Sequence, residues 1–328
     1  MENKLTLSYA PHVKQHITTS RIMLDVIVAL IPAFIASVLL FGPRAALITV
    51  ICITACVLFE LFFQLYTKRD ITIQDLSAVI TGILLGFNLP VTIPIWQAVI
   101  GSFIAIILIK QLFGGIGKNF ANPAITARII LFLAFTGTMT TWYMPLPIPD
   151  WVRLTDVVAS PTPLAYINQH NLIGAPSLLS MFLGIHGGTI GETSALALLI
   201  GGIYLMARRI ITWHIPCTFI ATVFILSFIF SGFDIIHGSY HVLAGGVMLG
   251  AFFMATDYVT SPQTKMGRII FGIGCGFFTV IIRFFGSYPE GVSFAILLMN
   301  VITPFIIKYT KTKPLGKLKT KKTEGASA

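Results

Sequence analysis

The sequence predicts an all-α protein that crosses a membrane many times, and three observations lead to that fold class. Of its 328 residues, 55% are hydrophobic and only 10% are charged, whereas a soluble domain usually carries about 25% charged residues. The mean hydropathy is +0.87, and the apolar residues form runs of the length that a membrane-spanning helix needs. The basic residues fall mainly in every second connection between those runs, as in polytopic membrane proteins.

About ten apolar segments predict transmembrane helices. The first run, Ile22–Phe41, is too long for the core of a signal peptide and lacks a small-residue cleavage site, so we expect it to be retained. The third, fifth and eighth segments are short for a bilayer that needs about 20 residues, which is typical of tilted, broken or re-entrant helices. The predicted spans are 21–42, 44–67, 76–89, 93–113, 122–137, 193–207, 213–232, 241–256, 267–285 and 291–308.

The charges of the connections predict the orientation, with the positive connections inside. The inward connections carry Lys68 and Arg69, Lys110 and Lys118, Arg208 and Arg209, Lys265 and Arg268, and seven lysines from Lys308 to Lys322. The outward connections carry Arg44, the long 138–192 segment with Arg153, Asp150, Asp156 and Glu192, and then Asp234 and Glu290. Both termini are therefore expected in the cytoplasm. The lysine-rich tail contributes much of the net charge of +10 and is expected to contact anionic lipid headgroups. The net charge therefore does not indicate a nucleic-acid partner.

The two halves of the chain resemble each other. A Gly-rich apolar segment, Thr81–Pro90, has a counterpart in Gly245–Pro262, and each is followed by a span with a basic residue near its end. Five spans on each side of the long outer loop would place two repeats in opposite orientations, with functional sites at their interface. The predicted organisation is an N-terminal segment (1–20), a first membrane repeat (21–137), an outer loop (138–192), a second membrane repeat (193–308) and a basic tail (309–328).

Several residue patterns are better explained by packing than by chemistry. The cysteines lie inside apolar runs without His or acidic companions, so we expect neither a metal site nor a disulfide. The seven histidines show no zinc-ligand pattern, and no Ser-His-Asp set can be argued, so no catalytic residue is assigned. Gly114–Gly117 lacks a following Lys-Ser/Thr and is no phosphate loop. Gly272–Gly276 is typical of close helix packing.

Ionisable side chains in or near the spans are the first candidates for function, because a charge at bilayer depth is costly and usually faces the protein interior or a water-filled path. Glu60 and Arg128 lie deepest and are candidates for an ion pair. Asp25, Asp75 and Asp257 lie near span ends, where a helix-capping role fits as well as a functional one. Asp75 and Asp257 adjoin the short Gly-rich segments, which makes them candidates for an ion path or a cofactor-proximal site.

Thr162 lies in the outer loop within Asp156–Ile167, between Pro161 and Pro163. The two prolines favour extended conformations around it, so the four residues from Ser160 to Pro163 are an ordinary recipe for a turn. On these residues alone, a structural role is the simpler interpretation.

Motifs along nearly the whole chain resemble the D-type membrane subunit of the Rnf-type ion-translocating oxidoreductase, which is similar to the B-type membrane subunit of the sodium-pumping NADH:quinone reductase. The motifs are Ser20–Met23, Asp75–Gly82, Lys110–Asn119, Asn122–Ala124, Trp213–Pro216, Met248–Phe253, Thr256–Asp257 and Tyr288–Ala295. The resemblance implies a bacterial inner-membrane complex of several subunits that couples electron flow between ferredoxin and NAD to movement of Na⁺ or H⁺.

The resemblance also implies a flavin site. In that family a threonine of the outer, periplasmic loop carries FMN through a phosphoester bond, attached by a separate magnesium-dependent flavin transferase. Asp156, Thr162, Pro163 and Leu164 fit the motif, whereas the residues 159–161 depart from it. Thr162 is the expected attachment site, in an accessible and extended loop. A second, non-covalent flavin such as riboflavin is implied near the repeat interface, with an ion path past Asp75 and Asp257.

Two other classes of function remain compatible with the sequence. Inverted repeats with short Gly/Pro segments are equally typical of a transporter or channel that has no redox cofactor of its own. A structural subunit whose loop has lost its flavin is also compatible with the altered motif. A denatured and washed chain that stays fluorescent would favour the flavoprotein over both.

Overall fold

The computed structural model describes residues 18–145, 162–168, 175–286 and 290–311, and this part of the chain is built from α-helices. The first half contains α1 (Thr19–Phe41), α2 (Pro43–Tyr66), α3 (Ser77–Phe87), α4 (Ile95–Gln111), α5 (Pro123–Ala134) and α6 (Thr136–Met139). The second half contains α7 (Pro163–Asn168), α8 (Leu178–Leu183), α9 (Ala195–Ala207), α10 (His214–Phe230), α11 (Ile235–Leu243), α12 (Val247–Met254), α13 (Lys265–Phe285) and α14 (Val292–Tyr309).

The lengths and composition of these helices confirm a polytopic membrane protein. Among the described residues, α1, α2, α13 and α14 are each long and apolar enough to cross a bilayer, and the pair α11 and α12, bent by 64°, makes a fifth such unit. The shorter apolar helices are α3, α4, α5, α9 and α10. Large apolar side chains such as Ile35 and Phe62 face outward, as expected where the surrounding solvent is lipid.

Local sequence explains where the helices begin. Thr18 accepts a hydrogen bond from the Arg21 amide at the start of α1. Asn122 does the same for two amides of α5, and Pro123 is the first helical residue, the position at which proline costs no hydrogen bond. Between α1 and α2, Gly42 takes a positive φ of 76°, which lets the chain reverse within one residue.

Two helices change their winding near their ends. Ile104–Gln111 of α4 and Gly250–Met254 of α12 are wound as π-helix, a form that is rare and often found at functional sites. The wider turn in α4 ends at Lys110 and Gln111. The wider turn in α12 ends just before Thr256 and Asp257.

Helices at corresponding positions in the two halves pack against each other. The first helix of the first half, α1, packs against α9, and the last, α5, packs against α14. Within the halves, α2 contacts α3 and α4, and α10 contacts α13. The expected role of the glycines in α13 is confirmed, because a Cβ at Gly272 would lie 2.0 Å from the Thr218 hydroxyl and one at Gly276 would lie 2.6 Å from Thr222.

The helix ends form two faces of the bundle. We call the end with Gly42, Thr136–Pro145 and α7–α8 the loop face, and the end with Lys68–Asp75, Leu112–Ala121 and Arg208–Thr212 the basic face. At the loop face, α7 and α8 fold back onto α11 through a small apolar cluster that contains Leu164, Ile167, Met181, Tyr240 and Ala244. Part of the predicted outer loop is therefore helical.

Candidate functional site

A central cavity opens between the two halves at the basic face. It has a volume of about 110 Å³ and is open to solvent. Its walls come from α1, α3, the end of α9, α12 and the connections at each end of the neighbouring spans. The lining residues are Met23, Val26, Ser77, Ile80, Thr81, Leu84, Lys110, Ile116, Asn119, Asn122, Pro123, Leu205, Ile210, Ile211, Phe252, Phe253, Thr256, Asp257, Tyr258 and Val259.

Asp257 lies in the cavity wall, in the connection that follows α12. Its carboxylate accepts weak hydrogen bonds from the Val259 amide at 3.4 Å and the Thr260 hydroxyl at 3.3 Å. Burial raises the pKa of Asp257, against these hydrogen bonds, which lower it. A carboxyl group in this state can take up a proton or another small cation, or hydrogen-bond to a bound ligand.

Asp75 has the capping role that the sequence left open. One of its oxygens, Oδ1, accepts from the Ser77 amide at 2.8 Å and from the Ser77 hydroxyl at 2.6 Å, at the start of α3. The other oxygen, Oδ2, is buried without a hydrogen-bond partner among the described residues. Asp75 itself does not line the cavity, but its hydrogen-bond partner Ser77 does.

Glu60 and Arg128, the two candidates for an ion pair, each have a different partner in the structure. Glu60 of α2 instead binds Lys110, whose ammonium lies 2.8 Å and 2.9 Å from the two carboxylate oxygens and also donates to the Ser77 hydroxyl at 2.6 Å. Gln111 adds a hydrogen bond of 2.7 Å to Glu60. Lys110 was assigned to a connection on the cytoplasmic side. In the structure it lies in the π-helical end of α4 and points into the protein, where it is 2% exposed.

Arg128 lies nearer the loop face and has its own carboxylates. Its guanidinium contacts Glu290 and lies 3.9 Å from Glu192. It also donates to Asn88 at 3.0 Å and to Ser293 at 2.9 Å. Both glutamates were expected as charges of outward connections, yet the structure buries Glu192 and leaves the Glu290 side chain only 14% exposed. A signal was present for Glu290, which lies inside the motif Tyr288–Ala295.

Arg283, at the end of α13, does not pair directly with a carboxylate within the described ranges. It donates to the backbone carbonyl groups of His241 and Ala244, at the C-terminal end of α11. Those carbonyl groups have no partners inside their own helix. The cation therefore stabilises the break between α11 and α12. Asp25, the remaining acidic candidate, pairs with Arg208 at 3.3 Å and accepts from Tyr204.

Thr162 lies on the loop face, away from the central cavity. Its hydroxyl accepts a hydrogen bond from the Ala165 amide at 3.3 Å, so it caps α7 with Pro163 as the first helical residue. Thr162 is only 6% exposed. The expectation of an accessible threonine in an extended segment is wrong for this arrangement, because α7 docks on α11. Asp156 lies outside the described residues.

The Thr162 oxygen lies at the start of the short helix α7, directly before Pro163. The next turn contacts the break between α11 and α12, since the methyl of Leu164 lies 3.1 Å from the position of a Cβ at Gly245.

Among the described residues, no group of three His, Cys, Asp or Glu side chains is placed to hold a metal ion. His237 pairs with Asp234 at 2.8 Å, and both ring nitrogens of His241 are without a hydrogen-bond partner in the same residues. All four cysteines are free thiols.

Comparisons with known proteins cover almost the full chain. The model of the NQR2, RnfD, RnfE family matches residues 6–316. The chain is 47% identical over 324 residues to the D subunit of the Na⁺-translocating ferredoxin:NAD⁺ oxidoreductase complex of Acetobacterium woodii, with 98% of each chain covered. It is 42% identical to the D subunit of the proton-translocating complex of Clostridium ljungdahlii, covering 96% and 97%. It is 39% identical to the D subunit of an ion-translocating oxidoreductase complex of Stutzerimonas stutzeri, covering 92% and 93%.

Proposed function

The chain belongs to the NQR2, RnfD, RnfE family, and from this premise we propose that it is an integral membrane subunit of an ion-translocating ferredoxin:NAD⁺ oxidoreductase. The observation that carries the proposal is the identity of 47% over 98% of both chains to the D subunit of such a complex. The chain then works with the other subunits of that complex, as part of an enzyme that couples electron transfer to ion movement.

We propose that the chain forms ten membrane spans, arranged as two inverted repeats of five. The pairing of α1 with α9 and of α5 with α14 supports it, because a two-fold axis would bring the first helices together and the last helices together. The bend between α11 and α12 and the shortness of α3 support helices that are interrupted inside the membrane. The positive-inside pattern supports an inner-membrane protein with both termini in the cytoplasm and residues 138–192 in the periplasm.

The central cavity is the proposed path or binding site at the repeat interface. Its apolar walls, including Phe252 and Phe253, suit a flat ring such as that of riboflavin, and Thr256 and Asp257 supply polar contacts. Burial raises the pKa of Asp257 because its charged form is poorly solvated. A bound cation would stabilise that charged form, so Asp257 suits a cation site. The named relatives divide between Na⁺ and protons, so either ion is compatible with the chain.

Thr162 is the proposed attachment site of FMN. When bound, FMN would supply the ability to pass electrons one at a time to neighbouring redox centres. The Thr162 oxygen would form the ester bond to the FMN phosphorus as AMP leaves FAD, in a reaction of the flavin transferase. Because Thr162 is buried beneath the docked α7, attachment would take place before α7 packs on α11.

Flavin fluorescence of the denatured chain tests the proposal. The full chain would be expressed with its flavin transferase, as wild type, Thr162→Ala and Thr140→Ala. Thr140 is a matched control because it is an exposed threonine of the same face, whose hydroxyl bonds only within its own turn. We expect fluorescent bands for wild type and Thr140→Ala and a dark band for Thr162→Ala. A dark wild type would favour a subunit or transporter without a covalent cofactor.

A further inference from the structure

A groove on the outer surface of the protein follows the second half of α14. One wall is α14 itself. The opposite wall comes from Asn119 and Phe120, in the connection before α5, and from Val259 and Thr260, in the connection before α13. The groove has a volume of about 640 Å³ and is open to the surroundings. Ligand sites commonly have volumes of about 300–1,000 Å³, so the groove is large enough to hold a ligand.

The residues of α14 that line the groove form one stripe. Val301, Pro304 and Lys308 follow one another at intervals of three and four residues, Ile307 lies beside them, and Lys311 comes just beyond the end of the helix. Residues at this spacing share one face of a helix. Val301 and Ile307 are 54% and 38% exposed, and both lysines are exposed. The stripe is therefore apolar along its length and positively charged at its end.

The length of the groove matches one leaflet of a bilayer. Asn300 is the lining residue of α14 farthest from the lysines, and it lies near the middle of the helix, Val292–Tyr309. At about 1.5 Å per residue, the distance from Asn300 to Lys308 along the helix axis is about 12 Å, and the lysine side chain extends this reach. Half of the hydrocarbon thickness of a bilayer is about 15 Å. The groove therefore runs from the middle of the bilayer to headgroup depth at the basic face.

The two lysines at the mouth of the groove have no counter-charge in the described residues. Neither Lys308 nor Lys311 takes part in an ion pair there, and the lining of the groove contains no Asp or Glu. Five more lysines follow in the sequence, up to Lys322. Because ammonium groups at headgroup depth attract anionic lipids, the mouth of the groove favours a phosphate group.

The polar residues of the groove walls leave its surface mainly apolar. The Thr303 hydroxyl is buried and donates to the carbonyl groups of Thr260 at 3.0 Å and Met299 at 2.9 Å. Asn300 is 2% exposed, and its side-chain oxygen and nitrogen are both buried, without a hydrogen-bond partner in the described part of the chain. These polar atoms lie behind the surface of the groove, so a hydrocarbon chain in the groove would meet carbon atoms.

We propose that this groove binds an anionic phospholipid of the leaflet at the basic face. One acyl chain lies along Val301, Pro304 and Ile307, and the phosphate lies between Lys308 and Lys311. The residue types favour a lipid over a helix of another subunit. Helices that pack closely in a membrane present small residues such as Gly, Ala and Ser to each other, whereas the exposed part of this stripe is built from larger side chains.

The groove lies directly outside the central cavity. Asn119 and Val259 line both of them, so a lipid in the groove would pack against the outer side of the cavity wall. The binding of the lipid follows from the groove, its length and its lysines. An effect of the bound lipid on ion movement through the cavity would rest on the proposed function.

Native mass spectrometry of the purified full chain tests the proposal. The chain would be loaded from mixed micelles that contain equal amounts of phosphatidylglycerol and phosphatidylcholine. We expect wild type to retain one phosphatidylglycerol. The double variant Lys308→Gln with Lys311→Gln should bind this lipid about tenfold more weakly. The matched control is Lys68→Gln with Lys265→Gln, which removes the same charge from exposed lysines outside the groove and should retain the lipid as wild type does.

Filling the groove separates a binding site from a general attraction of lipids to lysines. Val301→Trp would place an indole ring in the groove and leave both lysines unchanged, and we expect it to abolish the retention of phosphatidylglycerol. Val50→Trp is the matched control, because Val50 is a valine of α2 that is 50% exposed and does not line the groove. Equal retention in Val301→Trp and Val50→Trp would overturn the proposal.

Two other occupants of the groove would give different results. If a second copy of the chain covers the groove, the spectrum would show a dimer that Val301→Trp dissociates, and the lipid proposal would be wrong. If the mouth binds phosphate without an acyl chain, an excess of inorganic phosphate would displace the phospholipid, which would also overturn the proposal. These measurements use a chain that transfers no electrons, so a failure of the proposed function would be seen separately, in the transport assay of the complex.

Discussion

The ammonium nitrogen of Lys110 lies 2.8 Å and 2.9 Å from the two carboxylate oxygens of Glu60, and both side chains are almost completely buried. The pair joins the end of α4 to α2, and the bond from Lys110 to Ser77 adds the start of α3. Through Lys110, Glu60 and Ser77, hydrogen bonds therefore link three helices of the first half beside the central cavity. A charge left alone there would be poorly solvated, because both side chains are buried.

Replacement of one partner of this pair should destabilise the protein strongly. We expect Lys110→Met to lower the free energy of unfolding by about 3–5 kcal/mol, because Glu60 would remain as an unpaired buried charge. The double variant Lys110→Met with Glu60→Gln should recover most of the loss. Thermal unfolding of the purified chain in detergent measures both. Arg208→Met is the control. The Arg208 side chain is 47% exposed, so its ion pair with Asp25 should contribute only about 0–1 kcal/mol.

Close packing of α13 on α10 should not tolerate a methyl group at Gly272. The Cβ of Gly272→Ala would lie 2.0 Å from the Thr218 hydroxyl and 3.0 Å from the Ile215 carbonyl. We expect a loss of about 1–3 kcal/mol, since the helices would have to separate. Gly137→Ala is the control, because a Cβ there would meet no atom within 4 Å. Equal unfolding temperatures for the two variants would show that α13 does not pack on α10 in this way.

The thiols should differ sharply in reactivity in the folded chain. Cys217 is exposed, whereas Cys52, Cys56 and Cys275 are buried. N-ethylmaleimide should therefore modify Cys217 alone under native conditions in detergent and all four cysteines after denaturation. Intact-mass spectrometry counts the additions. The variant Cys217→Ser should remain unmodified until it is denatured, and early modification of Cys275 would contradict the packing of α13.

Asp257 should make the protein less stable as the pH rises. Burial raises the pKa of this carboxyl in the folded chain. Below the ordinary aspartate pKa of about 4, both the folded and the unfolded chain hold the proton. Between that value and the raised pKa, only the folded chain holds it, so stability falls with rising pH and stays reduced above that range. In a thermal-unfolding series over pH, Asp257→Asn should gain stability relative to wild type as the pH increases.

Asp234 is the matched control for that series, with the opposite sign. Its hydrogen bond with His237 and the amide of Ile236 lower its pKa. The stabilisation is therefore present above the ordinary aspartate pKa and disappears as the pH falls through the lowered value. Asp234→Asn should be less stable than wild type near neutral pH and equal to it in acid. The same slope for both variants would refute the assigned directions.

Composition and the spacing of apolar residues were sufficient to predict the class of the fold. Hydrophobic runs are a local property of the chain, and in lipid every backbone group must be satisfied within a helix. Local patterns also predicted the close packing at Gly272 and the short third and fifth segments. The motifs along the chain were sufficient to predict the family, because their residue types and order are specific in combination.

The partners of the buried charges depend on the tertiary structure. The sequence placed Glu60 and Arg128 deep in the membrane, but helix contacts decide that Glu60 binds Lys110 and that Arg128 binds Glu290 and Glu192. Lys110 is drawn inward by a change of helical winding, and Glu192 by a segment that folds back between the halves. Neither the position of Lys110 nor that of Glu192 follows from a periodic pattern in the sequence. The chain by itself therefore determined that the protein is a membrane protein of this family, and only the folded structure decided which charges meet, because a charge in a low-dielectric interior is stabilised by whatever group the packing brings to it.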